Sequence, residues 1–388
     1  MSDFLDPSDD FTVGDIVVDL PHRELVEQRL RDTTRPLLRI TEVVDSEALG
    51  LSRIHLEGVP EFGADKGFAT DDSRAIQLVL DELRRGFAAQ FDGWVPEMEA
   101  NPTVTGIVGF PHTKPMAFTP DLRTAPSIAP IEPNGAGDGV RVAVLDTGLL
   151  DHPALKTHAT AATPGDLIGT AEPLTAWLGH GTFVAGLIAQ RAPGCEIVVH
   201  RVLNSDGRAT TWDTAVALAA LADERNGYAV VNLSLGCRLG GPTGPLALRR
   251  AVQRHAGRAL VVAAAGNHGA SARPATPAWP AAFPGVVAVG TNFLNDGQPV
   301  LSEISPRLPW VDCVAVGSGV TSTFLDGSIT VNELIFEFDG FATWSGTSFA
   351  AAAVSGAVAA ALRPDESPAA AYARLLDDPT SGVSRFRW

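Results

Sequence analysis

The sequence predicts an α/β fold, a mostly parallel sheet with helices on both faces, preceded by a smaller α+β domain. After residue 139, continuous apolar runs alternate with helical patterns, as a parallel sheet covered on both faces requires. Before residue 111, charged segments alternate with β-branched runs. A stretch rich in Pro and Gly separates the two regions. We therefore predict an N-terminal domain over 1–110, a linker over 111–138 and a main domain over 139–388.

The composition excludes several classes of protein. With 388 residues and 45% hydrophobic side chains, the chain is long and apolar enough to bury a full core. Its net charge of −16 argues against binding to nucleic acid or to an anionic membrane surface. Three distant cysteines without a CxxC spacing suggest neither a disulfide framework nor a zinc site. The N-terminal stretch is acidic, unlike a secretory signal, so we expect a cytoplasmic protein.

The N-terminal domain reads as six elements in the order β-α-β-β-α-β, which is the ferredoxin-like arrangement. The predicted strands cover residues 12–20, 37–44, 51–57 and 103–110, and the predicted helices cover 22–31 and 72–85. Asp71 or Asp72 is a suitable N-cap for the second helix. Ile76, Val79 and Leu83 fall on one face of that helix, which predicts that it packs against the sheet.

The main domain reads as alternating strands and helices. The predicted strands cover residues 140–145, 196–202, 229–233, 259–265 and 286–289. The predicted helices cover residues 181–190, 212–225, 245–256 and 349–362. Because an open parallel sheet forms its sites at the carboxyl ends of its strands, we expect the chemistry there.

Four polar residues stand at such strand ends or at helix starts: Asp146, His180, Asn267 and Ser348. Taken singly, each has a structural explanation, as a turn residue, a core histidine or a helix N-cap. Together they supply an acid, a base, an amide donor and a hydroxyl, which favours nucleophilic catalysis. A different alternative is an aspartic protease built on the Asp-Thr-Gly triplet at Asp146, which would require a homodimer because no second such triplet occurs.

The motifs around these residues resemble those of the subtilisin-like serine proteases, or subtilases, and they occur in that family's order. The resemblance runs from about residue 140 to residue 362. It is carried by Val144-Leu-Asp146-Thr-Gly148, His152-Pro153, His180-Gly-Thr182, Asn232-Leu-Ser-Leu-Gly236, Ala264-Ala-Gly-Asn267 and Gly346-Thr-Ser348.

The resemblance implies a serine endopeptidase. Ser348 would attack the peptide carbonyl after giving its proton to His180, and Asp146 would hold the imidazole. The Asn267 amide and the Ser348 backbone N–H would bind the oxyanion. No cofactor is required; structural calcium is common in the family, but no ligand cluster allows one to be placed.

The resemblance also assigns substrate-binding residues. A peptide or protein substrate would add as a strand between two segments of the chain. Those segments are Leu233, Ser234, Leu235 and Gly236 on one side, and Gly207, Arg208 and Ala209 on the other. The residues matching the primary specificity pocket are Ala264, Ala265, Gly266 and Ala278. All four are small and uncharged, which predicts an apolar side chain before the cleaved bond.

The sequence departs from the family pattern after the nucleophile. Where the family usually has Met, Pro and His, this chain has Phe349, Ala352 and Ala353. An acidic, β-branched insertion over 325–341 precedes Ser348 and reads as a surface hairpin, a cover over the cleft or a partner site.

The role of the N-terminal domain is open from sequence. Its element order resembles the family's propeptides, which implies restraint of the protease, with residues 111–138 passing the cleft as a cleavable tail. It reads equally as a permanent accessory domain that recruits substrate or a regulatory protein partner. The alternative to an enzyme is a catalytically silent subtilase-fold binding module whose cleft is blocked by residues 1–138.

Overall fold

The computed structural model describes residues 11–33, 37–67, 75–106, 122–169, 174–224, 227–238, 243–270, 276–331 and 334–386. The chain forms two compact units. Unit 1 contains Met1–Val104 together with Thr210–Ala220 and Cys237–Arg254, and unit 2 contains the remainder.

Unit 1 is built on a four-stranded antiparallel sheet covered by helices. Its strands are β1 (Phe11–Asp19), β2 (Arg39–Ser46), β3 (Leu51–Glu57) and β4 (Met98–Gly106), and the last two residues of β4, Thr105 and Gly106, belong to unit 2. Its helices are α1 (Arg23–Thr33), α2 (Val59–Asp65) and α3 (Ala75–Gln90). The strand order β4-β1-β3-β2 and the antiparallel pairings confirm the predicted ferredoxin-like arrangement. The predicted face of α3 is buried, with Ile76, Val79 and Leu83 in the core of the unit.

Two elements of this unit differ from the prediction, and one prediction is not tested. The short helix α2 was not predicted; Pro60 lies in its first turn, where proline is tolerated. Strand β4 begins five residues before the predicted start at 103, because Pro102 sits at a register irregularity opposite Phe11 and does not end the strand. The proposed N-cap residues at 71 and 72 lie outside the described residues.

Unit 2 contains the parallel sheet. Strands β5 to β18 are Arg123–Thr124, Arg141–Asp146, Ala159–Ala161, Glu196–Arg201, Arg208–Thr210, Val230–Leu233, Leu235–Gly236, Leu260–Ala264, Val286–Asn295, Gln298–Leu301, Cys313–Val316, Val320–Val331, Leu334–Trp344 and Val383–Arg385. Helices α4 to α8 are His180–Arg191, Thr211–Leu221, Leu246–Arg254, Thr347–Ala361 and Pro368–Asp377, of which α6 and most of α5 belong to unit 1.

The main sheet has nine strands, and its backbone order is β18-β15-β13-β12-β10-β6-β8-β7. Every pairing from β15 to β7 is parallel, whereas the edge strand β18 and the side strand β14 are antiparallel. All five predicted strands are present near their predicted bounds. The predicted α/β fold is therefore confirmed. The short strands β7, β14, β15 and β18 were missed because three or four residues give no readable period.

The insertion over 325–341 is part of a long antiparallel hairpin made by β16 and β17. The hairpin rests on helix α4: the Ser322 hydroxyl donates to the Phe183 carbonyl and the Thr323 hydroxyl to the Thr182 carbonyl, both at 2.8 Å. It is therefore attached to the helix that carries His180.

Candidate active site

Asp146 and His180 form a buried pair. Strand β6 ends at Asp146 and helix α4 begins at His180, and both side chains have no exposed surface. His180 Nδ1 lies 2.8 Å from Oδ1 and 2.9 Å from Oδ2 of the carboxylate. Thr147 donates its backbone N–H to Oδ1 at 2.7 Å, which fixes the carboxylate in turn. A proton on Nδ1 is held by this contact, so that Nε2 is left to act as a base.

Two glycines allow the pair to approach this closely. Gly148 adopts a φ of +107°, a conformation that L side chains rarely adopt. A Cβ on Gly181 would collide with the Gly148 carbonyl oxygen and would lie 3.2 Å from the Asp146 Cβ. The glycines of the Asp-Thr-Gly and His-Gly-Thr motifs are thus needed for packing.

Three aromatic rings surround the His180 imidazole, and sequence reasoning assigned none of them a role. The ring centroids of Trp177, Trp344 and Phe349 lie 6.0, 5.7 and 5.5 Å from that of His180. Phe349, the departure noted after Ser348, is fully buried and also packs against Phe183, with the ring centroids 4.5 Å apart and the rings tilted by 45°. Phe349 therefore fills the core next to the imidazole.

Ser348 lies in the first turn of helix α7, one residue inside its start at Thr347. The N-cap position belongs to Gly346, so the reading of Ser348 as an N-cap is wrong. The Ser348 hydroxyl donates to the Ser234 carbonyl oxygen at 3.2 Å, and the Ser234 hydroxyl donates to the Ser348 carbonyl at 3.0 Å. Ser348 is thereby joined to the carboxyl end of strand β10.

Asn267 follows strand β12 and is oriented by Thr347. Its side-chain carbonyl accepts the Thr347 backbone N–H at 2.9 Å and the Thr347 hydroxyl at 3.0 Å. The amide nitrogen is consequently turned away from Thr347. Because β12, β10 and β6 are neighbours in the sheet, the residues at their carboxyl ends, Asn267, Ser234 and Asp146, lie along one edge.

Two buried nitrogen atoms at this edge have no hydrogen-bond partner among the described residues. They are His180 Nε2 and Asn267 Nδ2. Buried polar atoms are nearly always paired, so an unpaired one requires an explanation. One is the atom that a general base uses, and the other is a donor suited to a developing oxyanion.

The residues matched to the specificity pocket lie together. Ala264, Ala265 and Ala278 are buried, and a Cβ added at Gly266 would lie 3.4 Å from the Ala278 Cβ. Gly266 has a φ of +101° and donates its N–H to the Thr347 hydroxyl at 3.1 Å. Small side chains therefore meet directly beside the Asn267 loop.

The segments predicted to flank the substrate are paired with the chain's own residues. Gly106 and Thr105, at the end of β4, pair antiparallel with Leu235 and Gly236 of β11. The Gly106 N–H also donates to the Gly207 carbonyl at 2.9 Å, next to Arg208 and Ala209 in β9, which pairs with β4. Residues 107–121 lie outside the described residues, whereas 122–138 include strand β5, which pairs with β17.

Within unit 1, polar residues of the ferredoxin-like sheet bind the N-termini of helices α5 and α6. The Glu99 carboxylate accepts the Leu246 N–H at 2.6 Å and the Ala247 N–H at 3.4 Å. The Asn101 side-chain carbonyl accepts the Trp212 N–H at 3.0 Å. Sequence reasoning missed both residues, although a Glu and an Asn inside a strand were a usable signal of a capping role.

Ion pairs add to the contact between the ferredoxin-like sheet and α6. Arg249 Nη2 of α6 lies 2.7 Å from Glu97 Oε1, and Arg250 Nη2 lies 2.8 Å from Glu97 Oε2 and 3.1 Å from Asp19 Oδ1. Burial has the largest effect on the Glu99 carboxyl and raises its pKa to about 7. The two backbone N–H donors act in the opposite direction and lower the pKa, but by less.

Neither a metal centre nor a membrane span is found in the described part of the chain. No group of three or more His, Cys, Asp or Glu side chains there could hold a metal ion. No helix there is long and apolar enough to cross a bilayer.

Comparison with known proteins agrees with this geometry. The model of the Subtilase family matches residues 137–377. Subtilisin BL of Lederbergia lenta is 37% identical over 235 residues, covering 58% of this chain and 76% of its own, and Subtilisin Savinase from the same organism is 36% identical over the same shares.

Solved structures give the same relationship. The structure of a lanthipeptide protease is 26% identical, with a TM-score of 0.52, and covers 62% of this chain and 80% of its own. Fervidolysin from Fervidobacterium pennivorans shares the fold over 95% of this chain and 57% of its own, with a TM-score of 0.60 and 19% identity. The chain belongs to the subtilase family of serine proteases.

Proposed function

We propose that the protein is a serine endopeptidase whose cleft is restrained by its own N-terminal region. The observation that carries the activity is the combination of the buried Asp146–His180 pair with the two unpaired nitrogen atoms. Family membership supports the same chemistry, and it implies protein or peptide substrates.

In the proposed reaction, a peptide carbonyl carbon lies over Ser348. His180 Nε2 takes the hydroxyl proton as Ser348 Oγ bonds to that carbon, and Asp146 stabilises the imidazolium. Asn267 Nδ2 and the Ser348 N–H bind the oxyanion. The C–N bond then breaks as the imidazolium protonates the leaving amine. Water, deprotonated by His180, bonds to the acyl carbon, and the bond to Ser348 Oγ breaks as His180 returns the proton to Oγ. For this reaction the Ser348 hydroxyl must turn from the Ser234 carbonyl toward His180.

The pairing of Thr105 and Gly106 with the cleft strands supports the restraint. These two residues occupy the place of an added substrate strand, and a peptide has to displace them or follow their removal. The capping contacts of Glu99 and Asn101 hold the preceding part of β4 on α5 and α6. We therefore propose Thr105 and Gly106 as a cleft-filling segment, and a cleavable tail over 111–138 stays a prediction.

Labelling with a fluorophosphonate tests both parts. We expect Ser348 to be labelled slowly in the intact chain and at least tenfold faster once Thr105 and Gly106 have been released by cleavage of the chain after residue 106. Ser348→Ala is the matched control and should take no label, and intact mass of wild type against this variant shows any self-cleavage. A chain that takes no label before or after trimming would instead be the silent binding module.

Two further expectations stay predictions. The proposed chemistry needs no cofactor, because all its proton and charge transfers fall to protein groups. The cytoplasmic location expected from the acidic N-terminal stretch is checked by fractionation of cells that express the native gene.

A further inference from the structure

The strand in the cleft carries a glycine at the point where it meets Trp177. A Cβ added to Gly106 would lie 2.5 Å from Cζ3 and 3.0 Å from Cε3 of the indole, which is closer than packed carbon atoms come. Gly106 is buried and pairs with Leu235. The indole thus fills the space that a side chain at this strand position would need.

The backbone conformation does not explain this glycine. Gly106 is not among the residues with positive φ, so its backbone is accessible to any L-amino acid. The requirement for glycine at this position is therefore steric and comes from Trp177.

The indole is also held by Gly207 and by its own backbone. A Cβ on Gly207 would meet the Trp177 ring at 2.6 Å, so the ring packs directly on the Gly207 backbone. Trp177 begins a short 3-10 helix, Trp177–Gly179, and its carbonyl accepts the His180 N–H. Thr175, two residues earlier, donates its hydroxyl to the Ser205 carbonyl at 2.6 Å. The ring cannot withdraw without moving this loop or the segment that carries His180.

We propose that Trp177 makes the cleft selective for glycine at the substrate residue that pairs with Leu235. The inference rests on the proposed function, since it assigns a substrate preference to the same cleft. Trp177 also stands beside the imidazole of His180, at 6.0 Å between ring centroids, so the ring that contacts the selected glycine also neighbours the proposed catalytic base. Substrates with a side chain at this position have to displace the indole.

The first test needs no hydrolysis. In the full-length Ser348→Ala chain, hydrogen exchange is measured for the β4 peptide with Gly106→Ala, Trp177→Ala and both changes. In the chain that keeps Trp177, Gly106→Ala should speed exchange at the end of β4 at least tenfold. In the chain that carries Trp177→Ala, the same Gly106→Ala change should speed exchange less than threefold. Thr105→Ala is the matched control and should change exchange less than threefold. Equal effects of Gly106→Ala with either residue at 177 would overturn the proposal.

The second test measures substrate choice. Peptides that copy residues 98–112, with Gly or Ala at the 106 position, are given to the full-length protein and to its Trp177→Ala and Trp177→Val variants. We expect wild type to favour the glycine peptide about 10- to 100-fold in kcat/KM, from the usual cost of overpacking. Both variants should lose most of that preference. Equal hydrolysis of the two peptides by wild type would also overturn the proposal.

The two tests separate this inference from the proposed function. If no peptide is cleaved and no label is taken, but the exchange cycle shows the coupling between residues 106 and 177, the protease activity is wrong and the glycine-selective strand site stands. If peptides are cleaved without regard to the residue at position 106, the activity stands and the site is wrong.

Discussion

Replacing Glu99 by Gln should stabilise the contact between the ferredoxin-like sheet and helix α6 above pH 7. Glu99 is partly buried where it accepts the Leu246 N–H, and burial raises its pKa from 4.5 to about 7. The folded state therefore binds the proton more tightly than the unfolded state. Its contribution to stability is full below pH 4.5 and is lost as the pH rises through 7.

The size of the effect follows from the two pKa values. The difference between 4.5 and about 7, at about 1.4 kcal/mol per pKa unit, gives about 3 kcal/mol at pH 8. The amide of Gln keeps an acceptor for the Leu246 N–H without the charge. Glu99→Gln should therefore raise the free energy of unfolding by up to this amount at pH 8 and leave it unchanged near pH 4.5.

Hydrogen exchange of β4 and α6 in the Ser348→Ala chain measures this gain. At each pH the variant and the parent are compared directly, so intrinsic exchange rates cancel. The ratio of the variant's protection factor to the parent's should rise about tenfold per pH unit between pH 4.5 and pH 7 and then level off. A ratio that is constant with pH, or protection lower in the variant at pH 8, would refute the reasoning.

Glu97→Gln is the matched control with the opposite sign. Burial pushes the pKa of Glu97 up, but the hydrogen bonds and charges of Arg249 and Arg250 outweigh it and lower the pKa. Its stabilising contribution is present above pH 4.5 and is lost as the pH falls, so the variant should be less stable at neutral pH and should match the parent in acid.

Three further changes have defined outcomes. Asn267→Ala should lower kcat about 10²- to 10³-fold with little change in KM, a magnitude taken from removal of an oxyanion donor in this same family. Gly181→Ala should lower both the melting temperature and kcat, because its Cβ would collide with the Gly148 carbonyl and push His180 from Asp146. Trp344→Ala should cost about 3–5 kcal/mol of stability, because this large side chain is almost fully buried, and Trp344→Phe should cost less.

Each of these has a result that would contradict it. For Asn267→Ala, it is unchanged kcat in steady-state kinetics of peptide hydrolysis. For Gly181→Ala, it is a thermal unfolding curve and a kcat that match wild type. For Trp344→Ala, it is a denaturant midpoint within error of the parent, which would mean that the hairpin does not depend on its buried ring.

The sequence predicted the sheet and the placement of the four polar residues at strand ends or helix starts, because both depend on local patterns. Apolar runs specify buried parallel strands; Asp146 ends its strand, and Asn267 follows its strand after two residues. The surroundings of His180 could not be predicted in this way. Trp344 ends strand β17, and its proximity to the imidazole depends on how the hairpin packs on α4, whereas the position of the Trp177 ring depends on the short 3-10 helix before His180.

The same limit applies to the cleft. Gly106 was assigned to a strand of the N-terminal domain, and Leu235 was assigned to substrate binding, but nothing local in either segment indicates that they pair with each other. The capping role of Glu99 was equally hidden, because it depends on a helix that begins almost 150 residues later. Long-range pairings of this kind are fixed by the tertiary fold.

Strands β5 and β18 have a consequence for the boundaries of the peptidase region. Each closes an outer edge: β5 covers β17 of the hairpin, and β18 covers β15 of the main sheet. Both lie outside the family-matched residues 137–377. A chain trimmed to that match would retain Asp146, His180 and Ser348 but expose two open strand edges, together with the core surface that Leu122 now covers. Open edges invite strand addition from other molecules, so such a chain would self-associate.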